Sequence, residues 1–236
     1  QFTRPEDPPT GLDGVVDAAI GRFRRRRRLA EDLHRQAEAI DAKAEDWKFL
    51  SDQALQWHLL DFRARVRRRG REAEACVPDA LGAIREAAER TLRLRPFTVQ
   101  LMGALALHRG CLAEMATGEG KTLTAAMAAV LAGWTGRPCH IVTVNDYLAR
   151  RDANWLKPLY EFCGVTVGCV TSVMEPVDRA HGYAKDVTYA TSKEVVADFL
   201  RDRLRLGERQ HATRRLLHRH MAPHEAPEGV VMRGLH

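Results

Sequence analysis

Residues 115–122 read Met-Ala-Thr-Gly-Glu-Gly-Lys-Thr, and these residue types suit the binding of phosphate groups. Gly118 and Gly120 permit backbone conformations that other residues avoid, so that successive N–H groups can converge on an anion. Lys121 is expected to reach the β and γ phosphates, and the Thr122 hydroxyl is expected to hold Mg²⁺. The stretch therefore predicts a loop that binds the phosphates of a nucleotide.

The stretch has the shorter, helicase-like form of a phosphate loop, Gly118-Glu119-Gly120-Lys121-Thr122, because Met115 stands where the longer pattern has a glycine. Apolar residues 111–113 predict a short buried strand before the loop, and the Ala- and Leu-rich residues 123–131 predict a helix after it. That helix would add unpaired N–H groups and the positive end of its dipole. A glycine loop arising by chance is the alternative, and the flanking elements argue against it.

Gln100 and Phe97 lie shortly before the loop and are candidates for binding the base. A glutamine amide can donate one hydrogen bond and accept another, which matches the N6–H and N7 edge of adenine. Phe97 is placed to pack beside that base. A lone glutamine on a helix is usually a polar surface residue, but its place next to a phosphate loop favours the recognition of ATP or ADP.

The composition is that of an ordinary soluble globular protein, with 236 residues of which 45% are hydrophobic. The net charge of +6 indicates an anionic partner, although a general bias toward arginine would produce the same charge. The five cysteines form no CxxC pair and no metal-ligand spacing, which favours a reducing, cytoplasmic compartment. No secretory signal is visible in the first residues.

The N-terminal part is predicted to be helical. Residues 1–12, with three prolines, predict a loose tail, and residues 13–95 predict a helical region. Apolar residues recur at helical spacing over residues 13–47, as one long helix or as two separated near Arg24–Arg28. Those five arginines are consistent with a solvated arm, or with a basic amphipathic helix on an anionic membrane or an acidic partner.

Two further helices are predicted in this region. Ser51 is a suitable N-cap for a helix with Leu55, Leu59, Phe62 and Val66 on one face. Pro78-Asp79 is expected to open the next helix, because proline favours the first helical position. None of these residues forms a catalytic constellation.

Residues 96–236 predict an α/β domain of the P-loop, RecA-like class, with a parallel sheet and helices on both faces. Strand-forming residues occur at 139–144, 165–170 and 186–192. Asn145-Asp146 is expected to cap a helix that runs to about Cys163, and a second helix is expected after the last strand, from Lys193 to about Leu206. Ligands bind at the carboxyl ends of such strands, where the glycine loop also lies.

The last part of the chain is less regular. Residues 207–229 predict a polar insertion, and residues 229–236 resemble the start of another strand. The insertion contains His211, His218, His220 and His224. Their spacing matches no familiar ligand set, so we expect no metal site there.

Four stretches of this chain, in the same order, resemble SecA, the ATPase motor of bacterial preprotein translocation. The resemblance covers roughly residues 48–204. The stretches are Arg95-x-Phe97-x-Val99-Gln100-Leu101-x-Gly103; Ala113-Glu114-Met115-x-Thr117-Gly118-Glu119-Gly120-Lys121-Thr122-Leu123-Thr124; Val142-Thr143-Val144-Asn145-Asp146-Tyr147-Leu148-Ala149-x-Arg151-Asp152; and Asp186-Val187-Thr188-Tyr189-Ala190-Thr191 with Asp198-Phe199-Leu200-Arg201-Asp202.

The resemblance implies a function. Gln100 would read adenine, and Gly118 to Thr122 would hold the phosphates of ATP or ADP and Mg²⁺. The family works in the cytoplasm at the inner face of the cell membrane, and its partners are preproteins, a protein-conducting channel and anionic lipids. The Arg24–Arg28 helix would be a docking element for such lipids.

Some features depart from the family. Residues 192–197 differ from its usual string, and the insertion after Leu206 is longer than usual, which indicates a divergent or accessory member. The family's acidic Walker B segment would follow His236. Residues 96–236 are therefore expected to be a partial first nucleotide-binding domain, and the chain alone is expected to be almost inactive.

Two other functions compete with a protein-translocating ATPase. A nucleic-acid helicase with this type of loop needs phosphate-gripping residues after its second strand, and this chain has Asn145-Asp146-Tyr147-Leu148 there, so we expect no nucleic-acid partner. A non-catalytic module that only binds nucleotide and a partner is the second alternative.

Overall fold

The computed structural model describes residues 12–68, 70–206 and 230–232. The predicted tail, apart from Leu12, and the predicted insertion with its histidines lie outside these residues. In chain order the described elements are α1 Leu12–Ala42, α2 Ala44–Lys48, α3 Asp52–Arg68, α4 Arg71–Leu92, α5 Thr98–His108, α6 Lys121–Trp134, β1 Cys139–Thr143, α7 Asp146–Phe162, β2 Val167–Cys169, α8 Pro176–Tyr183, β3 Val187–Thr191 and α9 Ser192–Leu206.

The sequence predicted either one long helix or two helices separated near the arginines. Helix α1 runs without a break through the five arginines, so there is no separation at that point. Its C-terminal half buries Leu33, Ala37 and Ile40, which share one face at helical spacing. The chain then turns at Lys43 into the short helix α2. The arginine stretch therefore lies on the part of α1 that precedes its buried face.

Helix α3 begins as predicted. The Ser51 hydroxyl accepts a hydrogen bond from the Ala54 N–H at 3.2 Å, which satisfies one of the free donors of the first turn. The predicted inward face is buried as well, since Leu55, Leu59, Phe62 and Val66 are all in the core. The cap and the apolar periodicity of this helix are confirmed.

Helix α4 begins earlier than predicted. Pro78 does not open this helix but lies inside it, because the helix starts at Arg71. A proline inside a helix removes only its own N–H bond and crowds the preceding turn. Here Ala73, Cys76 and Val77 upstream of it are buried in the core, and that burial favours the extra turns.

The three strands form one parallel sheet in the order β1-β3-β2. All five residues of β3 are buried. Tyr189 points to one face, where its hydroxyl lies 2.8 Å from the Tyr160 hydroxyl of α7, and Thr188 points to the other, where it donates to the Gly182 carbonyl of α8 at 2.9 Å. Helices therefore cover both faces, which confirms the predicted α/β class.

Two predicted strands are absent from the described residues. Residues 111–116 contain no strand, and the Leu112 side chain is 98% exposed instead of buried. A strand is held by a neighbour, and within the described part of the chain β1 pairs only with β3. Val230–Met232 are not a strand either, because the N–H groups of Val231 and Met232 donate to the Asp202 carboxylate.

One hydrophobic core joins the helical region to the sheet. It runs from Leu33 on α1 to Tyr189 on β3, and α1 packs against α5 while α4 packs against α7. The predicted boundary near residue 95 therefore crosses a continuous apolar interior. The elements that present the glycine loop rest directly on the N-terminal helices.

Candidate nucleotide site

The glycine loop adopts the backbone conformation that its glycines were expected to provide. Gly118 has a φ of +90° and Gly120 a φ of +80°, both in the left-handed region. A β-carbon on Gly120 would overlap the amide nitrogen of Gln100, whereas one on Gly118 would meet nothing within 4 Å. At residue 120, both the positive φ and the nearby Gln100 amide require a glycine. At residue 118, the positive φ alone requires one.

The loop presents a series of unpaired backbone donors. The N–H groups of Thr117, Gly118, Gly120, Lys121 and Thr122 have no hydrogen-bond acceptor among the residues that the structure describes. The last two belong to the first turn of α6, where helix geometry leaves such groups free. Free N–H groups at a helix N-terminus, together with a lysine, fit an anionic phosphate chain.

The side chains of Lys121 and Glu119 both contact Ala116. Lys121 Nζ donates to the Ala116 carbonyl at 3.0 Å, and Glu119 Oε2 accepts from the Ala116 N–H at 2.7 Å. Lys121 is exposed, so its ammonium group can exchange this carbonyl for a phosphate oxygen. Glu119 braces the first half of the loop through its carboxylate.

Thr124, which the sequence analysis did not select, fixes the loop to α6. Its hydroxyl donates to the Gly120 carbonyl at 3.2 Å, and its side chain is 1% exposed. A β-carbon on Gly103 would lie 2.8 Å from the Thr124 methyl group, so α5 and α6 approach closely at this point. Thr124 is part of the stretch that resembles SecA, so the sequence contained a signal for this residue.

Gln100 connects the predicted base-binding residues to the loop. Its Oε1 accepts from the Phe97 N–H at 3.0 Å, and its Nε2 donates to the Glu119 carbonyl at 2.8 Å. An amide carries a second N–H and a second oxygen lone pair, so one donor and one acceptor are not used by these two bonds, and Gln100 as a whole is 7% exposed. Phe97 is 71% exposed at the start of α5. The structure therefore brings Gln100 to the loop and leaves the Phe97 ring accessible beside it.

Comparison with known proteins identifies the family of the chain. The SecA DEAD-like domain family matches residues 19–230. The chain belongs to this family. The resemblance to SecA that the motifs indicated is thereby confirmed, and so is the α/β class that it implied.

The relatives that match are longer proteins named as subunits of the SecA translocase. The chain is 48% identical over 232 residues to protein translocase subunit SecA 2 of Chlorobium chlorochromatii, covering 98% of this chain and 35% of the relative. It is 46% identical over 193 residues to protein translocase subunit SecA of Coxiella burnetii, covering 82% of this chain and 21% of the relative. The chain thus spans about a third or less of the length of these relatives.

Asp146 lies at the start of α7, just after strand β1. A helicase with this type of loop would bind a phosphate backbone at this place. The Asp146 carboxylate accepts from the Ser172 hydroxyl at 2.6 Å and from the Ser172 N–H at 2.8 Å, and these bonds lower the pKa of Asp146. The group is therefore ionised at neutral pH. A fixed negative charge at this place argues against a nucleic-acid backbone there.

Arg179, which sequence reasoning missed, organises the neighbouring loop after β2. It is 6% exposed, donates to the carbonyls of Thr171 and Ser172, and pairs with Asp198 at 2.8 Å. Burial and the adjacent Asp198 carboxylate raise the pKa of the Tyr183 hydroxyl, which donates to the same aspartate. This network fixes the carboxyl edge of the sheet.

Two negative findings apply to the described residues of this SecA family member. None of their helices is long and apolar enough to cross a membrane. No three of their His, Cys, Asp or Glu side chains are grouped so as to hold a metal ion. Thr122 remains the candidate for contact with nucleotide-bound Mg²⁺, and its side chain is partly buried at the start of α6.

Proposed function

We propose that this chain is the ATP-binding part of a protein-translocating ATPase that drives preprotein export across the bacterial cytoplasmic membrane. The observation that carries the proposal is the set of unpaired N–H groups in the glycine loop, beside the ammonium group of Lys121; they belong to Thr117, Gly118, Gly120, Lys121 and Thr122. The relatives are named protein translocase subunits, which supports a role of the nucleotide site in protein translocation.

The proposed ligands are ATP or ADP with Mg²⁺. Gly118 to Thr122 would surround the phosphates, with Lys121 as the cation and the Thr122 hydroxyl on the metal ion. When bound, Mg²⁺ offsets the charge of the phosphates, and the chain orients them through its N–H groups. Gln100 would hydrogen-bond the adenine edge, and the exposed ring of Phe97 would pack against the base.

Equilibrium binding of Mg²⁺-ATP to the purified chain tests this assignment. Lys121→Ala is expected to weaken binding about tenfold to a hundredfold, because it removes a charge-assisted contact worth about 1.5–3 kcal/mol. Lys157→Ala is the matched control, since Lys157 is an exposed lysine of α7 that pairs only weakly with Glu161 at 3.6 Å. Equal binding by the two variants would contradict the proposed phosphate site.

The proposed partners of the whole protein are preproteins, the membrane channel and anionic lipids, at the cytoplasmic face of the cell membrane. The α1 helix supports the lipid contact, because Arg24–Arg28 form a run of five positive charges within a continuous helix. Each such residue contributes about 1 kcal/mol of attraction near an anionic surface. The charge is expected to make the binding strongly dependent on salt.

Flotation with anionic vesicles tests the lipid contact. A variant with Arg24–Arg28 changed to Gln is expected to stay in the soluble fraction, whereas the unaltered chain floats at low salt. A variant with five other exposed arginines changed to Gln controls for the loss of total charge, at Arg67, Arg68, Arg71, Arg93 and Arg137. If both variants float like the unaltered chain, the arginine helix is a solvated arm.

The two alternative functions give different results in the same assays. A nucleic-acid helicase would bind single-stranded oligonucleotides, and the ionised Asp146 after β1 opposes this. A non-catalytic module would bind ATP but would show no hydrolysis even within the full-length protein. ATP hydrolysis by the full-length protein, stimulated by preprotein and membranes, distinguishes the proposed motor from both.

A further inference from the structure

Arg85 of α4 is a buried arginine that contacts two separate parts of the chain. It is 6% exposed, its Nε donates to the Pro96 carbonyl at 2.8 Å, and its Nη1 pairs with the Asp41 carboxylate at 2.5 Å. A buried cation is costly unless it is paired and hydrogen-bonded. These two contacts meet that requirement and connect the last turn of α1 to the segment before α5.

That segment has few other anchors. Residues 94–97 have no helix or strand, and the buried Pro96 lacks an N–H group, so its carbonyl is the one backbone group of this residue that can hydrogen-bond to the rest of the chain. The hydrogen-bond donor to that carbonyl is Arg85. The neighbouring Arg95 pairs with Glu89 at a partly exposed site. Arg85 therefore sets the position of the peptide that leads into α5.

The next residues are those proposed to bind the base. Phe97 is the N-cap of α5, and its N–H donates to Gln100 Oε1, while Gln100 Nε2 donates to the Glu119 carbonyl in the glycine loop. A displacement of Pro96 would move the Phe97 N–H and the Gln100 amide together. The contacts thus form an unbroken series from Asp41 through Arg85 and Pro96 to Gln100.

We infer that Arg85, held by Asp41, is a positioning residue for base recognition, which fixes Phe97 and Gln100 in the geometry that selects adenine. The inference rests on the proposed function, since it concerns the base that accompanies the phosphates. Arg85 does not itself touch the glycine loop, so its substitution acts first on the base-binding residues Phe97 and Gln100 and on the loop only through the Gln100 bond to Glu119. The N-terminal helix α1 thereby contributes, through Asp41, to the choice of nucleotide.

Substitutions at both ends of the contact test the inference. Arg85→Lys keeps the charge but cannot place one donor on Pro96 and another on Asp41 as the planar guanidinium does. Asp41→Asn is milder, because the Asp41 side chain is 48% exposed and its loss is not expected to prevent folding. Arg90→Lys is the matched control. Arg90 lies on the same helix, pairs with Glu86 one turn before it, and donates to Asp52 and to the Trp47 carbonyl, none of which belongs to the segment before α5.

The measurement is equilibrium binding of ATP, GTP and inorganic tripolyphosphate to each purified variant. Arg85→Lys is expected to weaken ATP binding about fivefold to tenfold, the size of one lost hydrogen-bonded contact, and to reduce the preference for ATP over GTP by a similar factor. Tripolyphosphate binding is expected to weaken less than ATP binding, because it depends on Lys121 and the loop and not on contacts to the base. Asp41→Asn is expected to act in the same direction with a smaller effect, and Arg90→Lys to leave all three affinities unaltered.

The outcomes separate this inference from the proposed function. If the unaltered chain binds neither ATP nor tripolyphosphate, the proposed function itself fails. If the unaltered chain prefers ATP and Arg85→Lys keeps that preference, Arg85 is a structural residue and the inference is wrong. A loss of tripolyphosphate affinity equal to that for ATP, or an equal effect of Arg90→Lys, would also overturn it, since both indicate a general loss of folded protein.

Discussion

Alanine substitutions at the two loop glycines are expected to differ in cost, and the difference tests the contact between Gly120 and Gln100. Both residues have positive φ, at +90° for Gly118 and +80° for Gly120, so an alanine at either place costs about 1–2 kcal/mol of backbone strain. Only the β-carbon at residue 120 meets another group, the amide nitrogen of Gln100. Gly118→Ala is therefore a control that carries the strain without the collision.

The additional cost at Gly120 follows from the hydrogen bonds of Gln100. To avoid the new β-carbon the amide must rotate, and it then loses its bonds to the Glu119 carbonyl and the Phe97 N–H. At about 1 kcal/mol each, these bonds add about 2 kcal/mol to the strain. Gly120→Ala is thus expected to lower the free energy of unfolding by about 3–4 kcal/mol, against about 1–2 kcal/mol for Gly118→Ala.

Urea unfolding of both variants measures the two free energies, and ATP binding is expected to follow the same order. A third variant, Gly120→Ala combined with Gln100→Ala, removes the group that collides. In that background the cost of Gly120→Ala is expected to fall to that of Gly118→Ala, as in a double-mutant cycle. Equal costs for the two single glycine variants would refute the role given to the Gln100 contact.

Three other predictions concern the same region. Gln100→Ala is expected to weaken ATP binding by about 1–2 kcal/mol and to reduce the preference for ATP over GTP, as measured by competition binding, and equal affinity of the unaltered chain for both nucleotides would contradict the assignment. Because its Ser172 bonds lower the pKa of Asp146, that carboxylate stabilises the fold above about pH 3.9, and the stabilisation is lost as pH falls through the lower folded-state pKa. The free energy of unfolding of Asp146→Asn, measured in urea, is therefore expected to be lower than that of the unaltered chain at pH 7, and the two values are expected to approach each other at pH 3. If their difference does not depend on pH, the charge of Asp146 is not what stabilises the fold. Phosphate release by this chain is expected to equal that of Lys121→Ala, since the described residues supply the loop, Lys121 and Thr122 but no second domain that closes on the γ phosphate; turnover well above that variant would show a complete active site.

The elements that the sequence predicted well are those with a local signal. Ser51 caps α3 because its hydroxyl lies within reach of the next turn, and Asn145 caps α7 in the same way by accepting from the Leu148 N–H at 2.8 Å. The glycine loop was also predicted from a local signal, since its conformation depends on its glycines and on the helix that follows directly. Such features need no knowledge of distant contacts.

The errors occurred where distant contacts decide the structure. Pro78 lies inside α4 because buried residues upstream outweigh its local preference for a helix start. Residues 111–113 have the composition of a strand, but a strand depends on a paired neighbour elsewhere in the chain. Helix α8 was missed although Pro176 at its first turn gave a signal, because the helix is only 8 residues long.

The candidate site shows the same division. The loop residues were found from their spacing. The hydrogen bond from Gln100 to the Glu119 carbonyl joins residues 19 positions apart, and neither residue type predicts it. Arg85 and Arg179 were missed for a related reason. A buried arginine is recognised by its partners, and the partners of these two include backbone carbonyls, which carry no sequence signature.

The continuous core between α1 and β3 has a mechanical consequence. Close-packed protein interiors are barely compressible and transmit strain. Helix α1 packs along α5, and the ion pair between Asp32 and Arg109 at 2.8 Å holds the far end of that contact. A force applied to α1 is therefore transmitted to α5, and Gln100 lies at the opposite end of α5. Because Gln100 donates to the Glu119 carbonyl, a displacement of α1 would also displace the glycine loop.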